Sequence, residues 1–74
     1  MKTHLIEVDE DNFDRVKDEK EINEVFTFSE EFKIGDKIMI KKNPKSLKQF
    51  YIQGVFPLEK SKDCVLKLMT KKEY

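Results

Sequence analysis

Lys37-Ile38-Met39-Ile40-Lys41-Lys42, then Asn43-Pro44-Lys45-Ser46, then Gln49-Phe50-Tyr51-Ile52-Gln53-Gly54-Val55-Phe56, is the stretch that sets the fold class. Ile38 and Ile40 recur with the two-residue period of a strand that buries one face. Asn43-Pro44-Lys45-Ser46 has turn composition. In the return segment Phe50, Ile52, Gly54 and Phe56 fall on one side, and Gly54 marks a bulge or bend. The two runs read as a hairpin that Pro57 ends.

Downstream, Lys60-Ser61-Lys62-Asp63 is a turn and Cys64 to Met69 a last strand, with a tail from Thr70 to Tyr74 expected to fray. Upstream, Ile34-Gly35-Asp36 is a turn in which Gly35 takes a backbone conformation other residues avoid. Ser29 to Lys33 is a charged loop. Glu21 to Phe28 alternates as a strand, with Ile22, Glu24, Phe26 and Phe28 on one face and Asn23, Val25 and Thr27 on the other. Asp9 to Asp18 reads as a short helix: Asp9 or Asp11 can cap it, acids crowd its first turn, and Phe13 and Val16 share a face. Thr3 to Val8 is a first strand with Ile6 and Val8 inward. The expected fold is mostly β (α+β): a single domain over residues 1–74, a small five-stranded twisted barrel with one short helix after the first strand.

The chain has 74 residues, too few for a large core. Its one cysteine, Cys64, excludes an internal disulfide and is expected to pack in the core. A single His4 with a single Cys64 cannot build a structural zinc site, so no metal and no cofactor are expected. No apolar run approaches a membrane span and no signal peptide is visible, so the expected setting is cytoplasmic, without a membrane. Charged residues make up 41% of the chain, yet the formal net charge is zero. Residues 1–36 hold twelve acids against five bases, a net of −7, and residues 37–74 carry +7. Such a division either pairs within one domain or gives a bipolar surface that faces a partner.

Met1-Lys2-Thr3-His4-Leu5 opens the chain, Phe13-Asp14-Arg15-Val16-Lys17-Asp18 lies in the expected helix, and Phe32-Lys33-Ile34-Gly35-Asp36 leads into the strand at Lys37. These phrases resemble, in turn, the opening, the helix and the Phe-x-Val-Gly-Asp phrase of the small phage and bacterial members of the ASCH superfamily. The resemblance implies a PUA-like barrel and covers roughly residues 1–42. The family signature, Gly-x-Lys-x-x-Glu-x-Arg, falls on Glu19, Glu21, Glu24 and Phe26, so only Glu24 is kept. A shift of one residue offers Lys20 for the lysine, but Phe26 still replaces the arginine. Some family members are amidohydrolases of acylated nucleosides with a lysine as general base. Glu21 cannot inherit that role, since a lysine base depends on burial lowering its pKa, and no cation is placed to organise it.

Other constellations are weaker. Glu21 and Glu24 lie three apart and so point to opposite faces of a strand, which reads as surface acids rather than a carboxylate pair. His4 stands near the amino end with no nucleophile at a recognisable spacing. Lys41, Lys42, Lys45 and Lys48 with Tyr51 are a basic run beside an aromatic that could meet phosphates and a base. On the strand face where the family keeps a polar cleft, this chain has Ile22, Glu24, Phe26 and Phe28, which either fill that cleft or form an apolar patch for a partner. The expected function is therefore a non-catalytic binding or regulatory protein, phage-encoded and acting on a host protein or on a second copy. An RNA- or DNA-binding module through the lysine run is the alternative, and amidohydrolase activity the third.

Overall fold

In the computed structural model, which describes residues 1–71, six elements follow one another: β1 (Thr3–Glu7), α1 (Glu10–Val16), β2 (Glu21–Thr27), β3 (Lys37–Asn43), β4 (Ser46–Pro57) and β5 (Asp63–Met69). The expected order of strand, helix and four strands is present. Asp9 is the N-cap of α1, its carboxylate accepting the Asn12 N–H at 2.9 Å, and Glu10 and Asp11 sit in the first turn.

The hairpin of β3 and β4 is tighter than its composition suggests. Asn43 and Ser46 pair, so only Pro44 and Lys45 make the turn. β5 adds antiparallel to β4, and β2 antiparallel to β5, while β1 adds parallel to β3. The strand order is β1-β3-β4-β5-β2. This single mixed sheet is not closed into a barrel: β1 and β2 are its two ends and do not pair.

One face of the sheet carries the core. Ile38, Ile40, Phe50, Ile52, Leu66 and Leu68 are buried on it, with Cys64. Phe13 and Val16, three apart on α1, close over this face. Among the described residues, no layer covers the other face.

Two register shifts interrupt the ladders, one at Lys42 between β3 and β4 and one at Gln53 between β4 and β5. In β4, Ile52 lies opposite Leu68 but Gly54 opposite Lys67, so Gln53 is an extra residue. Beyond this bulge Val55 meets Leu66 and packs on the core, whereas Phe56 meets Val65 on the outer face. Phe56 is 55% exposed, which corrects the expectation that it points inward with Phe50 and Ile52. One inserted residue reverses every later side chain, because the strand period is two. A Cβ at Gly54 would come within 2.7 Å of the outer edge of the exposed Phe56 ring. Gly35 takes φ 99°, the conformation foreseen for its turn, and its N–H donates to the Ile52 carbonyl at 2.9 Å.

The expected fraying at the end is partly corrected. Thr70 N–H donates to the Lys20 carbonyl at 2.9 Å, which extends the β2–β5 ladder. Residues 72–74, where the rest of that expectation falls, lie outside the described residues.

Candidate interaction cleft

The sheet curls so that its two end strands flank one cleft of about 250 Å³. Ile6 comes from β1, Ile40 from β3, Val16 from α1 and Phe26 from β2, so the lining is largely apolar. Its charged members are Arg15 and Glu24. They form a bidentate pair, with Arg15 Nη2 donating to Glu24 Oε2 at 3.0 Å and Arg15 Nη1 donating to Glu24 Oε1. Glu24 faces inward opposite Leu66 and its side chain is only 19% exposed. A carboxylate in that position needs a donor, and the planar guanidinium supplies two.

In the sequence no cation is placed to organise Glu21; the structure supplies one to Glu21 and one to Glu24. Arg15 reaches Glu24 from α1, and Lys67 lies 3.6 Å from Glu21 on the outer face. Glu21 and Glu24 do point to opposite faces. Arg15 was missed because its partner is nine residues away on a different element. Its one available signal was that it is the only arginine among fifteen basic residues.

The other residues of the candidate apolar face divide. Ile22 lies in the core opposite Leu68. Phe26 is half-buried, packs on the core and meets Phe32 edge-on, with ring centres 6.5 Å apart. Phe28 follows the end of β2 and is 40% exposed. The cleft position is thus partly filled by Phe26, and Phe28 is the phenylalanine left at the surface.

Behind Phe32 lies a buried polar pair. His4 stacks edge-on against Phe32 at 5.0 Å and donates from Nε2 to Asp36 Oδ2 at 2.9 Å. Asp36 is 4% exposed and also accepts the Lys2 N–H at 3.0 Å. Burial alone would raise the Asp36 pKa. Hydrogen bonds from His4 and from the backbone at Lys2 and Lys33 outweigh it and hold the carboxyl below its ordinary range. The pair ties β1 to the turn before β3. In the sequence His4 stands out as a lone residue, whereas Asp36 is only part of a turn. Nothing in a Gly-Asp turn says that its carboxylate will be enclosed. Burial pushes the Cys64 thiol pKa up, aided by Asp63, as suits a core residue.

The lysine run is not brought together on one face. Lys41 lies opposite Leu47 on the outer face, 3.5 Å from Glu7. Lys42 turns toward α1, near Glu10 and over the Phe13 ring. Lys48 lies opposite Ile40 on the core side and over Phe50. Lys45 is exposed in the hairpin turn, and Tyr51 lies on the outer face, its hydroxyl accepting from Gln49 at 3.1 Å.

Among the described residues there is no group of three or more His, Cys, Asp or Glu side chains able to hold a metal ion, and no helix long and apolar enough to cross a membrane. Comparison of the chain with family models, curated proteins and solved structures finds no match in any of the three.

Proposed function

We propose that this chain is a non-catalytic binding protein that holds a partner protein at the cleft between β1 and β2. The observation that carries this reading is the chemistry of the cleft. Its lining is largely apolar, and its charged pair, Arg15 with Glu24, is already mutually satisfied. An apolar recess lined by Phe26, with the exposed Phe28 two residues further along the chain, suits an apolar anchor from a partner. Among the described residues no lysine lines the cleft to act as a base, which argues against amidohydrolase chemistry. The element order and the place of Glu24 in a cleft agree with the ASCH resemblance, while the open sheet departs from the closed barrel that a PUA-like type implies.

Nucleic-acid binding is the weaker reading, because Lys41 projects from the outer face while Lys42 and Lys48 lie on the core side, and each has a partner within the chain. The test is capture of partners by the purified protein from its producing cells, with and without nuclease. A partner protein retained after nuclease treatment, and lost with Phe28→Ala at unchanged thermal stability, is the expected result. A capture that nuclease abolishes would overturn the reading.

A further inference from the structure

One wall of the cleft is the outer edge of β2, which no other strand pairs among the described residues. The ladder between β2 and β5 is bounded by two bonds, Thr70 N–H to Lys20 O at 2.9 Å and Phe28 N–H to Lys62 O at 2.7 Å. Both lie on the same uninterrupted register as Ile22 with Leu68 and Phe26 with Cys64. In an antiparallel ladder the residues that exchange hydrogen bonds alternate with residues that turn their N–H and C=O the other way. The even-numbered residues of β2 therefore bond to β5. Glu21, Asn23, Val25 and Thr27 present their backbone groups away from it.

This edge carries few of the features that usually guard an open strand. Between Glu21 and Thr27 there is no proline, no lysine and no bulge. Val25, in the middle of the exposed edge, is 58% exposed. The apolar cleft lies beside it.

Charge selects what can add there. The whole −7 of the first half falls within residues 9–31, which hold ten acids against three bases. Those residues are α1, β2 and their flanking turns. A second copy approaching through the same edge would bring acid against acid, so this surface disfavours self-pairing and favours a basic strand.

We propose that the free edge of β2 is extended by a β-strand from the partner protein, a segment in which basic and apolar residues alternate. Its apolar positions enter the cleft against Val16, Ile40 and Phe26. Its basic positions project outward beside Glu21, where the added backbone pairs with Asn23, Val25 and Thr27. The inference rests on the protein-binding reading and names the chemistry of the partner.

The experiment is selection from displayed random peptides of about twelve residues, long enough to run the length of β2. The tightest binder is then synthesised, and amide exchange is followed by NMR. Enriched sequences are expected to alternate Lys or Arg with apolar residues. In the free protein the Asn23, Val25 and Thr27 amides should exchange quickly, and bound peptide should slow them roughly tenfold or more. Val25→Pro removes an outward N–H without removing a bond to β5, and should weaken binding about tenfold. Should that variant fail to fold, Val25→Lys, on an exposed side chain, should weaken the same peptide through charge. Enrichment without basic–apolar alternation would overturn the proposal. So would a peptide that binds while those three amides stay fast, although that result would leave the protein-binding reading standing. Failure of that reading shows separately, as nuclease-sensitive capture.

Discussion

Asp36 shows how much one enclosed side chain can do. Its pKa is lowered in the folded chain, so the stability it gives is fully present above the unfolded value near about pH 4. That stability drains away as pH falls through the lower folded value. Asp36→Asn is expected to cost about 1–3 kcal/mol near neutral pH, with the difference from wild type shrinking in acid. Urea unfolding of both proteins between about pH 6 and pH 3 measures this. A difference that stays constant over that range would show that the carboxylate charge is not what stabilises. The two phenylalanines separate by the same logic of enclosure. Phe26 packs on the core and on Phe32, so Phe26→Ala should cost about 2–4 kcal/mol in folding. Phe28→Ala should stay within about 1 kcal/mol of wild type, which is why Phe28 gives the cleaner test of an interface. Equal losses for the two would mean that Phe28 is also structural.

At the scale of elements, two glycines serve different ends. Gly35 holds φ 99° in the turn into β3. Gly35→Ala should lower stability by about 1–3 kcal/mol, read as a fall in the urea midpoint at unchanged slope. Gly54 has no such backbone demand. Its added Cβ would strike the outer end of the exposed Phe56 ring, which can swing away. Gly54→Ala should therefore cost less than Gly35→Ala and chiefly displace Phe56, a shift visible in the ring's proton resonances. The reverse order of costs would mean that the β4 bulge cannot adapt. The short helix depends on its ends in a similar way: Asp9→Ala should cost about 1 kcal/mol by removing the cap on Asn12.

At the scale of the whole molecule, the division of charge becomes a division of structure. The acidic segment supplies α1 and β2, which frame the cleft, and the basic segment supplies the three-stranded meander β3–β4–β5. Several opposite charges meet across that boundary, such as Glu21 with Lys67 and Glu10 with Lys42. Exposed pairs of this kind add little stability each. The lysines around the hairpin diverge, so binding of single-stranded RNA should show a salt slope no steeper than about −2, the value for roughly three phosphate contacts. A steeper slope, flattened by replacing Lys41, Lys42, Lys45 and Lys48 in pairs, would restore the nucleic-acid reading. Hydrolysis of acylated cytidine should be undetectable. Turnover that Glu24→Ala abolishes would mean that the Arg15–Glu24 pair supports chemistry after all.

The sequence by itself determined the order of elements, because strand alternation, the Phe13–Val16 spacing and the turn residues are local signals. It determined that Ile22, Glu24 and Phe26 share a face, and that Gly35 sits in a demanding turn. It did not determine that the sheet stays open, since closure depends on whether β1 and β2, each at an end of the strand order, meet. Nor did it place Phe56, because one bulged residue at Gln53 reverses the faces that follow, and a bulge is a property of the pairing between strands. The cation beside Glu24 and the donors around Asp36 come from elements distant in the chain. Which residues were enclosed with which partners was decided only by tertiary packing, where leaving a carboxylate without a donor costs more than any local preference.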